Sequence, residues 1–433
     1  MNDEESGHRN PAADRDETEF NEIVRANLKR NYAANFFHGM LGMTGFRLVN
    51  TPTFLPAYLF LISGSNAIVG LGLALQQVGG IVSPIITGNR VEHRDKVMPA
   101  AMLLGILSRL SVLGIALTGW FVVGNIQVAA LLGFLFFFGV FMSAQRVVFQ
   151  LLLSKVIPIR QRGRLQAWRN ATGGLVAAAL AYFSGKVFIA QNALGNGYAT
   201  TFLCAFVLTS LGLMVLHFMI VEPKSPQLRP PMRFTDRLRE FPSLVSENPS
   251  FGWFLLVQFF AAMGRMAAPF YILYVGEKIT IDGATLGLLS LAYLGAGTVS
   301  NLVWGYLGDR TGFRLILVLA VLTWISATLL LIFTSSVPFI FLAFFGFGSA
   351  QAGYLMGSQT IVLEFGERRD LPMRIALSAT AENVAATIGP LAGGVIADLL
   401  GYNFVLGVSL VVFFMALTLL AFSVGEPRDT RGV

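Results

Sequence analysis

The chain has 433 residues, of which 55% are hydrophobic and 13% charged, with a formal net charge of +7. Soluble domains carry about 25% charged residues; a core this apolar would lack the polar surface to cover it in water, a demand that lipid removes. The single cysteine, Cys204, excludes an internal disulfide or a cysteine-based metal site, and the cations punctuate apolar runs instead of forming one basic module, which argues against a nucleic-acid partner.

Residues 1–30 open with the acidic, polar stretch MNDEESGHRN. They lack the basic n-region and apolar h-region of a cleavable signal and read as a disordered tail. Six apolar runs follow at 31–61, 65–88, 97–120, 125–155, 164–189 and 198–221. Six more occupy 250–275, 283–307, 314–335, 337–363, 374–399 and 402–424. Each is long enough to cross a bilayer as a helix and too long and continuous for the alternating strands of a barrel. The expected fold class is an all-α membrane protein with twelve transmembrane helices, spans 1–12, in two pseudo-symmetric six-helix bundles at 31–221 and 250–424. Between them, 222–249 carries six prolines and a basic cluster. There Phe234, Leu238, Phe241 and Leu244 follow helical spacing, so it is either an interfacial helix on an anionic leaflet or a flexible basic linker. Residues 425–433 form a second tail.

The loops after spans 2, 4, 6, 8 and 10 hold Arg90, Arg94, Lys96, Arg160, Arg162, Arg164, a run from Lys224 to Arg239, Arg310, Arg314, Arg368, Arg369 and Arg374. The opposite loops offer only Lys186 and Lys278. The positive-inside rule therefore puts both termini in the cytoplasm. Short loops and no targeting signal point to a bacterial inner membrane.

The two halves echo one another. VEPKSPQ at 221–227 matches GEPRDTR at 425–431, Gly197-Tyr198 matches Gly401-Tyr402, Ser143-Ala144-Gln145 matches Ser349-Ala350-Gln351, and GNRVEHRDK matches GYLGDRTGF, with Gly88 over Gly305 and Glu92 over Asp309. Four echoes in the same order argue for a duplicated six-helix unit.

GYLGDRTGFR at 305–314 resembles the Gly-x-x-x-Asp-Arg-x-Gly-x-Arg loop signature of the major facilitator superfamily. Within it, Gly305 admits close helix approach and Gly312 a sharp turn. Asp309 with Arg310 and Arg314 forms either a gating latch or a solvated, topology-setting loop. The first-half copy departs from the signature at Glu92 and His93. The sugar-porter signature is not evident, and ATGGLVAAALAYFSG stands where span 5 of a drug–proton antiporter carries its glycine-proline motif. The resemblance implies a membrane transporter that is not an enzyme, working by alternating access around a cavity lined by spans 1, 4, 7 and 10.

Charge inside a membrane marks a pathway or a paired structural site. Arg47, Arg109, Arg146 and Arg265 lie within spans, and Glu382 is the one clearly intramembrane acid. Helical spacing groups Arg47 with Asn50 and Thr51, Arg146 with Ser143 and Gln150, and Arg265 with Gln258; Gln351, Tyr354 and Ser358 share a face of span 10. A surplus of guanidinium forks predicts a small anionic solute: an organic acid, an organophosphate or an anionic metal chelate. Candidate solute ligands are Arg47, Arg146, Arg265, Gln258, Gln351 and Tyr354. Arg109, away from the implied cavity, reads as structural, bonded to backbone carbonyls or to Glu382. No ATP-binding loop is present, so transport is secondary or facilitative, with Glu382 and His38 as the candidate proton carriers; each has an equally good bland reading, an ion pair and a bonded core histidine. No cofactor is expected, and the partners are the solute and the bilayer. The rival reading is a multidrug/proton antiporter. An intramembrane enzyme lacks any nucleophile–base or metal constellation in this sequence, and a scaffold or sensor lacks a soluble domain.

Overall fold

Apolar segments that cannot bond their backbone to lipid must close every hydrogen bond internally, and a helix does so within one segment. A computed structural model, described for residues 11–91, 94–224, 249–365 and 371–426, is built of helices and short connections, with no strand among these residues. Ten helices among them are long and apolar enough to cross a membrane. The other two spans are Asn66–Val91 and a first span divided into Leu28–Asn50 and Phe54–Ser63.

That division has a local cause. Pro52 has no N–H to continue the helix, and it forces Thr51 into an extended conformation with ψ 139°. Span 7 breaks at the matching place: Pro249–Gly264 passes into a 3-10 segment, Arg265–Phe270, before Tyr271–Lys278. Pro269 lies four residues after Arg265 and cannot bond its carbonyl. Both breaks fall within five residues of an intramembrane arginine, Arg47 or Arg265.

Three expectations change. Residues 11–26, expected without structure, form the helix Pro11–Ala26, which buries Val24 and ends where the Asn27 side chain donates to the Ile23 carbonyl at 2.9 Å. Span 5 starts at Ile159, not 164, so its three arginines lie on the helix itself; Arg162 turns back to bond the Ser154 and Ile157 carbonyls at the end of span 4. The Ser-Ala-Gln echo is out of register. Gly139 packs on the Gln76 carbonyl of span 2 and Gly348 on the Tyr293 carbonyl of span 8, each so closely that a Cβ would stand 1.9 or 2.0 Å away. Gly139 and Gly348 are 209 residues apart, against 206 for Ser143 and Ser349, so the true correspondence is three residues further on. The proposed interfacial helix at 234–244, Glu92 and His93, Arg368 and Arg369, residues 1–10 and 427–433 lie outside the described residues.

The other echoes have physical meanings. Glu222 accepts hydrogen bonds from the Val97 and Met98 amides at 2.7 and 2.9 Å, capping span 3, and pairs with Lys155 at 3.2 Å. Glu426 accepts from the Arg314 amide at 3.2 Å, at the start of span 9. In both halves the acid that follows the last helix meets orphan donors at the start of the third. Tyr198 stacks on Tyr58 at 5.0 Å and Tyr402 meets Tyr274 at 6.4 Å, tying span 6 to span 1 and span 12 to span 7.

Packing repeats accordingly. Span 1 lies against spans 5 and 6, span 2 against 4, and span 3 against 4 and 6; spans 7 to 12 reproduce every pairing. The halves meet through spans 2 and 11 and spans 5 and 8. On the face away from the chain termini this junction is closed. Asp398 of span 11 accepts from the Asn66 and Ala67 amides and the Ser65 hydroxyl at 2.8–2.9 Å, capping span 2 of the other half. Tyr402 donates to Asn66 at 2.8 Å, and the Thr53 and Ser290 hydroxyls meet at 2.6 Å. Gly185 lies against Gly283 and Gly287, with no room for a Cβ.

Candidate solute-binding site

The broken first helices of the two halves deliver arginines to the same junction. Arg265 Nη2 donates to Glu382 Oε1 at 2.7 Å, with the two side chains 16% and 23% exposed. Its guanidinium also lies over Tyr354 at 4.8 Å and Trp324 at 5.8 Å from the ring centroids, favourable faces for a cation. Its Nε is buried with no partner among the described residues. From the other half, Arg47 Nη1 reaches across to Thr298 Oγ1 of span 8 at 3.2 Å. Gly174 of span 5 makes that reach possible, because a Cβ there would stand 2.1 Å from Thr298 Oγ1 and 2.3 Å from Arg47 Nη1. Tyr293, one and a half turns before Thr298, is within electrostatic reach of both Arg47 and Arg265. The junction therefore presents two guanidiniums, one carboxylate and a phenol.

The remaining predicted ligands separate by environment. Arg146 is exposed and has no hydrogen bond or ion pair among the described residues. It lies on span 4 between the side that meets span 2, through Gly139 and Ser143, and the side that carries Phe138 and Phe149 toward span 1. That position faces the interior of the bundle. Gln258 and Tyr354 are buried supports: the Gln258 side chain accepts from Ser378 at 2.7 Å, while its carbonyl accepts from the Tyr354 hydroxyl at 3.4 Å. They join spans 7, 10 and 11 behind Arg265. Gln351 is half-buried, one turn before Tyr354. Asn50 accepts from Gln76 at 2.6 Å, one turn beyond Arg47.

His38 is a core histidine here. Its Nδ1 donates to the Gly212 carbonyl at 3.0 Å and its ring lies 5.0 Å from Phe149. Arg109 has the structural role expected of it, donating to the Thr209 and Gly105 carbonyls at 2.7 and 2.8 Å. In the signature loop, Gly312 has φ 87°, a left-handed turn open to glycine. Arg314 holds the Leu420 and Ala421 carbonyls at the end of span 12, Arg310 lies over Tyr306 at 4.2 Å, and Asp309 is exposed. Gly305 differs from expectation: a Cβ would meet only Met356, at 3.9 Å, so no close approach depends on it here.

Tyr293, Thr298, Trp324, Gly174 and Arg169 belong to the polar interior and were not singled out in the sequence. Arg169 had the clearest signal, since a helix starting at Ile159 carries it almost three turns inward. A separate cleft of about 570 Å³ between spans 7 and 11 is lined by Pro249, Trp253, Leu256, Phe259 and their apolar neighbours. It lies on the side of span 7 away from Gln258 and offers no charge. No cluster of potential metal ligands occurs among the described residues.

Duplicated six-span bundles around a charged junction with broken helices are an architecture on which many secondary transporters are built. The Major Facilitator Superfamily sequence model matches residues 254–432, in the second half of the chain, and the chain as a whole shares the fold of solved transporters. The nucleoside transporter NupG is similar in structure with a TM-score of 0.68 at 12% identity, over 90% of this chain and 99% of that one. A D-xylose–proton symporter gives 0.70 at 13%, over 93% and 99%. The human organic anion transporter MFSD10 gives 0.59 at 15%, over 90% and 99%. No curated protein sequence matches the chain.

Proposed function

We propose that this protein is a transporter that moves a small anionic solute, an organic acid, organophosphate or anionic metal chelate, by alternating access between bundles 31–221 and 250–424, joined by the basic linker 222–249. One observation carries the reading: Arg47, bonded to Thr298, and Arg265, paired with Glu382, come from opposite halves and both lie within electrostatic reach of Tyr293, with Arg146 facing the same interior and Glu382 as the one acid among them. A guanidinium fork recognises carboxylate or phosphate with two parallel hydrogen bonds. Arg265 donates a single hydrogen bond, from Nη2, to Glu382, so an incoming anion competes with that carboxylate. Protonation of Glu382 removes the competitor, which makes it the proton carrier in preference to the bonded His38. The half-buried Gln351 completes the lining, while Gln258 and Tyr354 hold Arg265 in place. Opening the distal face requires Asp398, Tyr402 and Thr53 to release the other bundle. Gly305, Asp309, Arg310, Gly312 and Arg314 act as the gate at the opposite face. The basic even-numbered loops put that face and both termini in the cytoplasm, in a bacterial inner membrane.

The same junction supports a second reading, a multidrug/proton antiporter, because the Glu382 carboxylate beside the Tyr354 and Trp324 faces suits an organic cation. Proteoliposomes loaded with a panel of labelled anions and cations separate the two. Anion uptake that falls at least about tenfold in both Arg47→Ala and Arg265→Ala supports the first reading. Unchanged uptake in both variants sinks it, and cation exchange abolished by Glu382→Gln establishes the second.

A further inference from the structure

The N-terminal bundle holds another concentration of positive charge, apart from the Arg47–Arg265 junction. Arg109 of span 3 and Arg169 of span 5 are 2% and 6% exposed. Besides its two carbonyl partners, Arg109 Nη1 lies 3.3 Å from Gln145 Oε1 and 3.4 Å from the Ser108 hydroxyl, and Nη2 is buried with no partner among the described residues. Arg169 Nη1 donates to Gln166 at 3.2 Å, its Nε is likewise unpartnered, and its guanidinium covers the Phe149 ring at 4.9 Å. His38, against the same ring, is within electrostatic reach of both arginines.

No carboxylate in this half balances them. Between Ile23 and Val221 the sequence has two acids, Glu92 and Asp95, both in the loop after span 2. The next, Glu222, is committed to Lys155 and the start of span 3. The acceptors around Arg109 and Arg169 are all neutral; they satisfy hydrogen-bond geometry without compensating charge, and an uncompensated ion in a low-dielectric interior is costly.

The packing also leaves room. Gly42 is buried, yet a Cβ built on it meets no atom within 4 Å beyond its own stretch of helix backbone and its chain neighbours. It lies one turn after His38 and one turn before Phe46, whose ring Arg109 covers at 5.3 Å. Its neighbour Gly39 has no such space, because Arg169 Nε fills it.

We propose that this pocket beside Gly42 is a binding site for a chloride-sized inorganic anion. Arg109 Nη2 donates to the anion, and Arg169 supplies the surrounding positive potential. The anion is a resident counter-charge of the N-terminal bundle, distinct from the solute at the central junction.

The test is thermal unfolding of the full-length protein in detergent, titrated with sodium chloride against sodium gluconate at constant ionic strength. Chloride, and bromide in its place, raises the melting temperature saturably. Gly42→Val fills the space and Arg109→Lys removes Nη2, so each raises the half-saturating chloride concentration by at least about tenfold; Arg47→Gln leaves it unchanged. Equal melting in the two salts overturns the proposal, as does a chloride response that both pocket variants retain. A response lost in Arg47→Gln and retained in Gly42→Val moves the anion to the central junction and also overturns it. Should the variants not fold, bromide-soaked crystals of the unaltered protein decide: an anomalous peak between Gly42 and Arg109 supports the site and its absence removes it.

Discussion

The two bundles share one scaffold and differ in how they treat charge. The first carries Arg47, Arg109, Arg146 and Arg169 inside its spans and no acid among them. The second carries Arg265 and answers it with Glu382 at 2.7 Å. Helix pairing, helix breaks and terminal caps were kept in both copies, so the scaffold tolerates either solution. Charge compensation is therefore a property of the site, set by a few side chains, while the architecture rests on close packing and capping that both halves retain.

The largest expected effect comes from breaking the compensated half. Glu382→Gln leaves a half-buried guanidinium unpaired and lowers stability on the order of 3 kcal/mol, whereas the double replacement Arg265→Leu, Glu382→Leu restores most of it. Arg146→Leu, at an exposed and unpaired site, stays within about 0.5 kcal/mol. Chemical unfolding in detergent measures all three, and equal losses in Glu382→Gln and Arg146→Leu would erase the contrast.

What the halves share is tested by Gly139→Ala and Gly348→Ala. Each drives a methyl into a neighbouring carbonyl and costs about 1–3 kcal/mol. Gly305→Ala, with room for its Cβ, is neutral or gains up to about 1 kcal/mol. Loss confined to one of the first two would show that the repeat is not preserved at this contact.

A smaller asymmetry is expected at the caps. Glu222→Gln weakens two amide bonds and the Lys155 pair and costs about 2 kcal/mol, against about 1 kcal/mol for Glu426→Gln. Identical melting temperatures for the two variants would contradict the difference in bonding.

An effect no larger than that at Glu426 is expected at Asp282, which caps span 8 by accepting from the Thr285 amide at 2.7 Å. Its replacement by alanine costs about 1 kcal/mol. That amide bond holds the carboxyl below its ordinary value of 3.8. The folded state thus binds the proton less tightly than the unfolded chain, so the contribution is full above about pH 5 and fades as pH falls through 3.8 to the depressed value. A stability difference between Asp282→Ala and the parent that persists at pH 2 would refute the assignment.

Much of this was legible from the chain alone, because the relevant forces act over short sequence distances. Runs such as LLGFLFFFGVFM can meet lipid only as helices, and the Glu-Pro and Gly-Tyr echoes mark two copies of one unit. The Ser-Ala-Gln echo misled by three residues because similar side chains recur on a helix, while the register is set by which glycine lets a neighbouring carbonyl approach. The helix breaks were within reach too, at Pro52 and Pro269.

The sequence by itself determined the number and kind of spans, the duplication, the basic faces of the loops and the presence of more intramembrane arginines than acids. Only the tertiary structure decided which arginine meets Glu382, that Arg47 crosses to Thr298 through the space left by Gly174, and that Gln258 supports the site from behind. The physical reason is range. Hydrophobicity and proline geometry are written within a turn or two of helix, but the partner of a buried charge is chosen by side chains that pack together from spans 117 or 251 residues apart. The twelve apolar spans thus follow from solvation, and the charged junction between them from packing.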